Sequence, residues 1–117
     1  MKESNVKPAT GKLGVLCVGL GAVTSTFITG VLMVRKGLSK PVGSMTQMAK
    51  IRVGKGAEAE YKHIGDVVSL TELDDIVFGA WDIFPDNAFE SAMHAEVLKD
   101  RDIYPVKEEL EQIKPFK

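Results

Sequence analysis

The chain has 117 residues, 44% of them apolar and 26% charged, which is the composition of one ordinary folded domain. The net charge of −1 hides an asymmetry, because residues 1–57 carry nine Lys and Arg against one acid and residues 58–117 carry six against fifteen. Either the two halves attract each other or the basic half attracts an anionic ligand. The basic residues are not interleaved with aromatic ones, which argues against nucleic-acid binding.

The first predicted elements lie in an uncharged run over residues 13–34, LGVLCVGLGAVTSTFITGVLMV. The run is long enough for a membrane span, which needs about 20 apolar residues, so a single-pass membrane protein is one alternative. Its polarity is concentrated at the centre, however, where a span is normally most apolar, and no cleavage site of a secretory signal follows it. We favour a strand, a glycine turn and a helix, with no membrane association.

The hydrophobic period divides this run into those three parts. Residues 13–18 form a short apolar stretch, typical of a strand buried on both faces, and Gly19-Leu20-Gly21 ends it. Spacings of three and four then predict a helix from Ala22. Its predicted buried face consists of Val23, Phe27, Gly30, Val31 and Val34.

A Gly-x-Gly between a strand and a helix is the context of a dinucleotide fingerprint, in which the backbone approaches a pyrophosphate at the helix N-terminus. The third glycine is replaced by Thr24, whose hydroxyl can donate to a phosphate oxygen. The acid that normally holds the adenosine ribose about 20 residues later is absent, since no Asp or Glu occurs over residues 4–57. This excludes an ordinary dehydrogenase domain.

Later elements are shorter. Residues 37–50 are predicted to form a polar loop, residues 51–55 a short strand, residues 54–65 a loop, and residues 75–80 an apolar strand. A capping box at Asn87 and Glu90 predicts the start of a helix. The apolar face of that helix is predicted to contain Phe89, Ala92, Met93 and Val97, and a last amphipathic segment covers residues 106–113.

Several single residues have ordinary structural interpretations. Cys17 has no disulfide partner and is expected in the core, and Trp81 is expected to be a packing anchor. His63 and His94 have no set of metal ligands at suitable spacing, so no metal site is expected. Ser44, Thr46 and Gln47 either cap the loop or contribute to a ligand pocket.

Three segments together resemble a known family. VGLGAVTST at the first turn, GSMTQ at residues 43–47 and FGAWDI at residues 78–83 are similar to the amino-terminal part of myo-inositol-1-phosphate synthases, in the same order and at about the same spacing. Bacterial-type members are more similar than eukaryotic ones, which have paired asparagines in place of Val23 and Thr24. The contacts of those asparagines are therefore not carried over.

The resemblance implies an α/β, Rossmann-like NAD-binding domain. Such enzymes convert glucose 6-phosphate to myo-inositol 1-phosphate by transient oxidation, aldol cyclisation and re-reduction with the same NAD. The pyrophosphate is then expected at Gly19, Gly21, Ala22, Val23 and Thr24. The acid of the WD pair, Asp82, is expected at the adenosine ribose, and this fits the absence of an acid nearer the glycines.

The resemblance also implies a fragment. Family members are several times longer, and the lysines that bind the sugar phosphate lie in later parts, so no catalytic residue is assigned here. We expect a flexible tail over residues 1–11, a partial Rossmann domain of two to three strand–helix units over residues 12–117, and exposed sheet edges. The parent enzyme is expected to be a cytoplasmic tetramer. The alternative is a stand-alone Rossmann-like nucleotide-binding module.

Overall fold

The structure is a computed structural model that describes Lys7 and residues 10–117, so most of the predicted tail over residues 1–11 lies outside it. The described strands are β1 (Leu13–Val18), β2 (Lys50–Val53), β3 (Glu60–His63) and β4 (Ile76–Trp81). The described helices are α1 (Ala22–Arg35), α2 (Met45–Met48), α3 (Ile64–Val67), α4 (Ala88–Ala95), α5 (Asp100–Ile103) and α6 (Lys107–Glu111). The predicted mixed α/β class is confirmed.

The sheet that organises the fold is parallel. β1 pairs with β4 from Leu13 opposite Ile76 to Val18 opposite Trp81, so the two strands end side by side. A third strand position begins on the other side of β4, where Phe116 forms a parallel bridge with Trp81 and its N–H donates to the Ala80 carbonyl at 2.7 Å. The order is therefore β1, β4 and then the segment at Phe116.

The uncharged run of residues 13–34 folds as β1, a glycine turn and α1, as the hydrophobic period predicts. α1 contains 14 residues. None of the helices in the described part of the chain combines the length and the apolar character that crossing a membrane requires.

The predicted buried face of α1 is wrong. Ser25, Ile28, Thr29 and Leu32 are the buried residues, whereas Val23 is 84% exposed and Phe27 46% exposed. α4 and the segment that contains Val106 and Leu110 pack on this more polar face. The hydroxyl of Thr29 donates to the Ser25 carbonyl at 2.7 Å, so it can be buried without an unpaired polar group.

The prediction that β1 is buried on both faces is also wrong. Leu16 is 59% exposed and Val18 is 92% exposed. Among the described residues only β4 pairs with β1, so its other edge and much of its surface remain open. Cys17, predicted as a core residue, is half-buried and packs against the core.

The predicted loop over residues 54–65 contains a strand. β2 and β3 form an antiparallel hairpin, in which Gly54 adopts a φ of +96°. β3 has the sequence EYKH and is exposed along its whole length. Its residues therefore show no alternation of apolar and polar side chains from which a strand could be predicted. In the predicted loop over residues 37–50, Met45–Met48 form the short helix α2.

The capping box of α4 is confirmed. The Glu90 N–H donates to Asn87 Oδ1 at 2.9 Å, and the Asn87 N–H donates to Glu90 Oε1 at 3.3 Å. Ala92 is buried as predicted, but Val97 is 58% exposed because α4 ends before it, at a left-handed Glu96 with φ 55°.

Arg35 joins the end of α1 to the start of β4. Its Nε donates to the Leu73 carbonyl at 2.7 Å, its Nη2 donates to the Ile76 carbonyl, and its guanidinium lies 5.6 Å from the centroid of the Phe78 ring. A guanidinium can donate in two directions from one rigid plane, which an ammonium cannot do.

We therefore expect Arg35→Lys to lower the free energy of unfolding by about 1–3 kcal/mol, the usual cost of leaving a hydrogen-bonding group without its partner. Urea denaturation followed by circular dichroism measures the change. Arg101→Lys is the matched control, since the Arg101 side chain is 78% exposed. Equal midpoints for the two variants would contradict the role assigned to Arg35.

Candidate functional site

The glycine turn and Asp82 lie at the same edge of the sheet. β1 and β4 are parallel and end opposite each other at Val18 and Trp81, so the residues that follow them meet there. The Gly19 N–H donates to the Trp81 carbonyl at 2.7 Å and extends the pairing by one residue. In open α/β sheets this carboxyl edge is where ligands bind.

Asp82 connects the two strand ends through its carboxylate. The Leu20 N–H donates to Oδ2 at 2.7 Å and the Phe84 N–H donates to Oδ1 at 3.0 Å. The Phe84 amide, followed by the Leu20 amide, holds the pKa of Asp82 below its usual value of 3.8, and partial burial opposes this effect only in part. At neutral pH the side chain is an ionised group in a fixed orientation.

The N-terminus of α1 is open next to this carboxylate. Gly19 has a φ of +100°, which glycine adopts readily and other residues rarely do. Gly21 is the N-cap residue, no side chain among the described residues caps the helix, and its first turn contains no acid. The first backbone N–H groups of a helix have no partner within the helix. Ala22, Val23 and Thr24 supply such groups here.

Three cavities meet at Asp82 and Ile83. The strand-end cavity of about 430 Å³ is lined by Val18, Gly19, Trp81, Asp82, Ile83, Phe116 and Lys117. The α4 cavity of about 370 Å³ is lined by Leu20, Gly21, Ala22, Asp82, Ile83, Phe84, Asp86, Ser91, His94 and Ala95. The terminal cavity of about 490 Å³ is lined by residues 82–85 and 114–117.

The structure brings together four of the six residues that the sequence suggested for a cofactor. Gly19, Gly21, Ala22 and Asp82 line these cavities. Val23 and Thr24 lie in the first turn of α1 and are not among the lining residues. Their backbone N–H groups, rather than their side chains, are what the helix N-terminus offers.

The GSMTQ segment, residues 43–47, does not line the three cavities that meet at Asp82. Gly43, Ser44 and Gln47 line a separate cavity of about 370 Å³ against the outer face of α1, together with Phe27 and Gly30 among others. Ser44 is the N-cap residue of α2 but makes no side-chain capping bond.

Trp81 and Phe116 form one wall of the site. Trp81 packs on Phe116 with a distance of 5.4 Å between ring centroids, as expected for a packing anchor, but it is 42% exposed and also lines the strand-end cavity. Phe116 fits over Gly79, where an added Cβ would lie 2.9 Å from the ring. Sequence reasoning missed Phe116, although the missing side chain of Gly79 in an apolar strand was a signal of close approach.

Sequence reasoning also missed Ser91 and His94 as wall residues of the α4 cavity. His94 was considered only as a metal ligand. Within the described part of the chain, no three His, Cys, Asp or Glu side chains come close enough together to hold a metal ion.

The lowered pKa of Asp82 leads to a pH prediction. A carboxyl group whose pKa is lower in the folded state contributes stability above its unfolded pKa and loses that contribution as the pH falls through its folded pKa. We expect Asp82→Asn to be less stable than the original chain at pH 7, with the difference shrinking below about pH 3.8. Urea denaturation at pH 7, 4 and 3 measures this, and Asp66→Asn on α3 is the control. A difference independent of pH would contradict the prediction.

A parallel sheet whose strand ends carry a glycine turn, an open helix N-terminus and a fixed carboxylate defines the amino-terminal part of a Rossmann-like dinucleotide-binding domain. An NAD-binding family model described as myo-inositol-1-phosphate synthase matches residues 13–117. The chain therefore belongs to the myo-inositol-1-phosphate synthase family, and the cofactor of the matched domain is NAD.

Individual relatives agree. The chain is 60% identical to inositol-3-phosphate synthase 1 of Bacteroides thetaiotaomicron over 97% of its own length and 26% of the relative. It is 36% identical to inositol-3-phosphate synthase isozyme 1 of Arabidopsis thaliana over 74% of its length and 19% of the relative. The crystal structure of the Caenorhabditis elegans inositol-3-phosphate synthase has the same fold, with a TM-score of 0.80 and 24% identity over 94% of this chain and 24% of that one. The chain thus spans about a quarter or less of the relatives it matches.

Proposed function

We propose that the chain is the NAD-binding portion of an isomerase that converts glucose 6-phosphate to myo-inositol 1-phosphate. The family match over residues 13–117 supports the reaction. The observation that carries the cofactor site is the 2.7 Å hydrogen bond between the Leu20 N–H and Asp82, which joins the glycine turn to a carboxylate at one edge of the sheet. Bound NAD would supply reversible hydride transfer for the oxidation and the re-reduction. The rest of the chemistry is assigned to parts of the enzyme that this chain does not contain.

The pyrophosphate is proposed to lie at the glycine turn and the first turn of α1. Gly19 and Gly21 let the backbone come close, and the N–H groups of Ala22, Val23 and Thr24 donate to phosphate oxygens. The absence of acid in the first turn of α1 supports this arrangement, because a carboxylate there would compete for the same N–H groups.

Asp82 is proposed to accept hydrogen bonds from the adenosine ribose hydroxyls. Its two oxygens each take one backbone N–H, and a carboxylate has about four acceptor positions, so both oxygens can accept further bonds. The carboxylate would then have two tasks, holding the turn in shape and binding the ribose.

The remaining features of the parent enzyme are also proposals. The NAD-binding domain is taken to cover residues 12–117, the substrate is a sugar phosphate, the assembly is a homotetramer, and the location is the cytoplasm.

Titration of the chain with NAD tests the proposal. Trp81 is the only tryptophan and lines the strand-end cavity, so its fluorescence reports on ligand at this site. We expect saturable quenching by NAD, weakened by Asp82→Ala and unchanged by Asp66→Ala on α3. Absence of binding, confirmed by calorimetry, would refute the proposal.

A further inference from the structure

Two of the cavities that meet at Asp82 differ in the charges of their lining residues. The α4 cavity contains a second carboxylate, Asp86, and none of the described residues that line it is a Lys or Arg. The terminal cavity, which Asp82 also lines, contains Lys114 and Lys117. A ligand held at Asp82 therefore meets an acidic wall toward α4 and a basic wall toward the last described residues.

The α4 cavity is also continuous with the glycine turn. Gly21 and Ala22 lie at one end of it, and Asp86, Ser91 and His94 line the rest. A nucleotide whose pyrophosphate lies at Gly21 and whose ribose lies at Asp82 would thus have one ribose edge in this cavity. Among the described side chains that line this cavity, Asp82 and Asp86 are the acids, and His94 is the one that can carry a positive charge.

We propose that the α4 cavity receives the 2′ side of the adenosine ribose, and that Asp86 together with Asp82 makes the site accept a 2′-hydroxyl and reject a 2′-phosphate. This inference rests on the proposed function. A hydroxyl is uncharged and donates to a carboxylate, whereas a phosphate monoester brings about −1.5 to −2 charges next to two carboxylates. Repulsion of like charges in a partly enclosed site therefore selects NAD over NADP.

The two cofactors differ only in the 2′-phosphate, so the ratio of their dissociation constants isolates this effect. We expect the chain to bind NAD at least about tenfold more tightly than NADP, which corresponds to about 1.4 kcal/mol. Asp86→Asn removes one negative charge. We expect it to lower the preference for NAD over NADP about tenfold, mainly by strengthening NADP binding. Asp66→Asn on α3, which removes the same charge from a different cavity, should leave the ratio unchanged.

Ser91→Arg is the second variant. It keeps both carboxylates and places a guanidinium in the wall of the α4 cavity, so it should also shift the ratio toward NADP. Quenching of Trp81 fluorescence measures the ratio of the NADP and NAD dissociation constants for each variant. The titrations are done at pH 8, above the range in which histidine usually becomes charged. Circular dichroism checks that each variant is folded. NAD binding with a ratio that changes less than twofold in both variants would overturn the inference alone. Binding of neither cofactor by the original chain would overturn the proposed function as well.

Discussion

Gly21→Val is expected to weaken NAD binding by about 100-fold or more, equivalent to about 2.7 kcal/mol, while the fold persists. The backbone of Gly21 has φ −101° and ψ −150°, a conformation open to any residue, and an added Cβ would meet no atom within 4 Å. The free energy of unfolding should therefore fall by no more than about 1 kcal/mol, because valine is a poorer N-cap residue than glycine. A branched side chain at this position would occupy the approach of the pyrophosphate to α1.

Gly30→Ala is the matched control for this experiment. Gly30 lies inside the same helix and also has free space around its Cα, but it lies on the outer face, away from Asp82. Alanine in a helix interior is more stable than glycine by about 0.5–1 kcal/mol, so this variant should gain stability and bind NAD normally. Calorimetric titration and thermal unfolding measure both quantities. If Gly21→Val bound NAD within threefold of the original chain, the turn would not be the pyrophosphate site.

No inositol phosphate formation is expected from the 117-residue chain alone, because no catalytic residue is assigned within it. A chimera in which the chain replaces the corresponding quarter of the Bacteroides thetaiotaomicron relative is expected to be active. At 60% identity we expect the two parts to keep compatible contacts, since cores tolerate substitutions that conserve volume and pattern. Leu16, Val18 and Val23 are among the exposed apolar side chains of the chain, and we expect the rest of the enzyme to cover them.

Conversion of glucose 6-phosphate, followed by chromatography of the inositol phosphate product, measures both proteins. The chimera with Gly21→Val is the control and should lose activity together with NAD binding. Turnover by the isolated chain would refute the assignment of catalysis to other parts. A chimera that folds and binds NAD but remains inactive would refute the proposed role of the chain in this reaction.

The parts of the fold that follow from local patterns were predictable. β1, the glycine turn, the start of α1, β4 and the capping box at Asn87 all appear within one or two residues of their predicted positions. Each depends on contacts between neighbours in sequence, such as the two hydrogen bonds between Asn87 and Glu90, or on a short apolar stretch bounded by glycine. β2 lies within two residues of the strand predicted over residues 51–55. β3 and its pairing with β2 were missed, because the exposed sequence EYKH has no apolar pattern.

Burial was harder to predict than secondary structure. Both faces of α1 are compatible with packing, because Ser25 and Thr29 satisfy their hydroxyls within the helix. The choice between the faces depends on where α4 packs, and no spacing within α1 contains that information. The same limit applies to Phe116, which reaches the site only because it aligns beside β4.

For the site, the amino-acid pattern alone was enough to indicate a pyrophosphate turn, and the lack of an early acid together with the family resemblance pointed to Asp82. The tertiary structure was needed to show that Asp82 holds the turn through the Leu20 and Phe84 amides. It was also needed to show that Asp86, just before α4, and Ser91 and His94 on α4 line the cavity beside it. The physical reason is distance along the chain. Leu20 and Asp82 are 62 residues apart, and only the parallel pairing of β1 with β4 brings them within hydrogen-bonding distance.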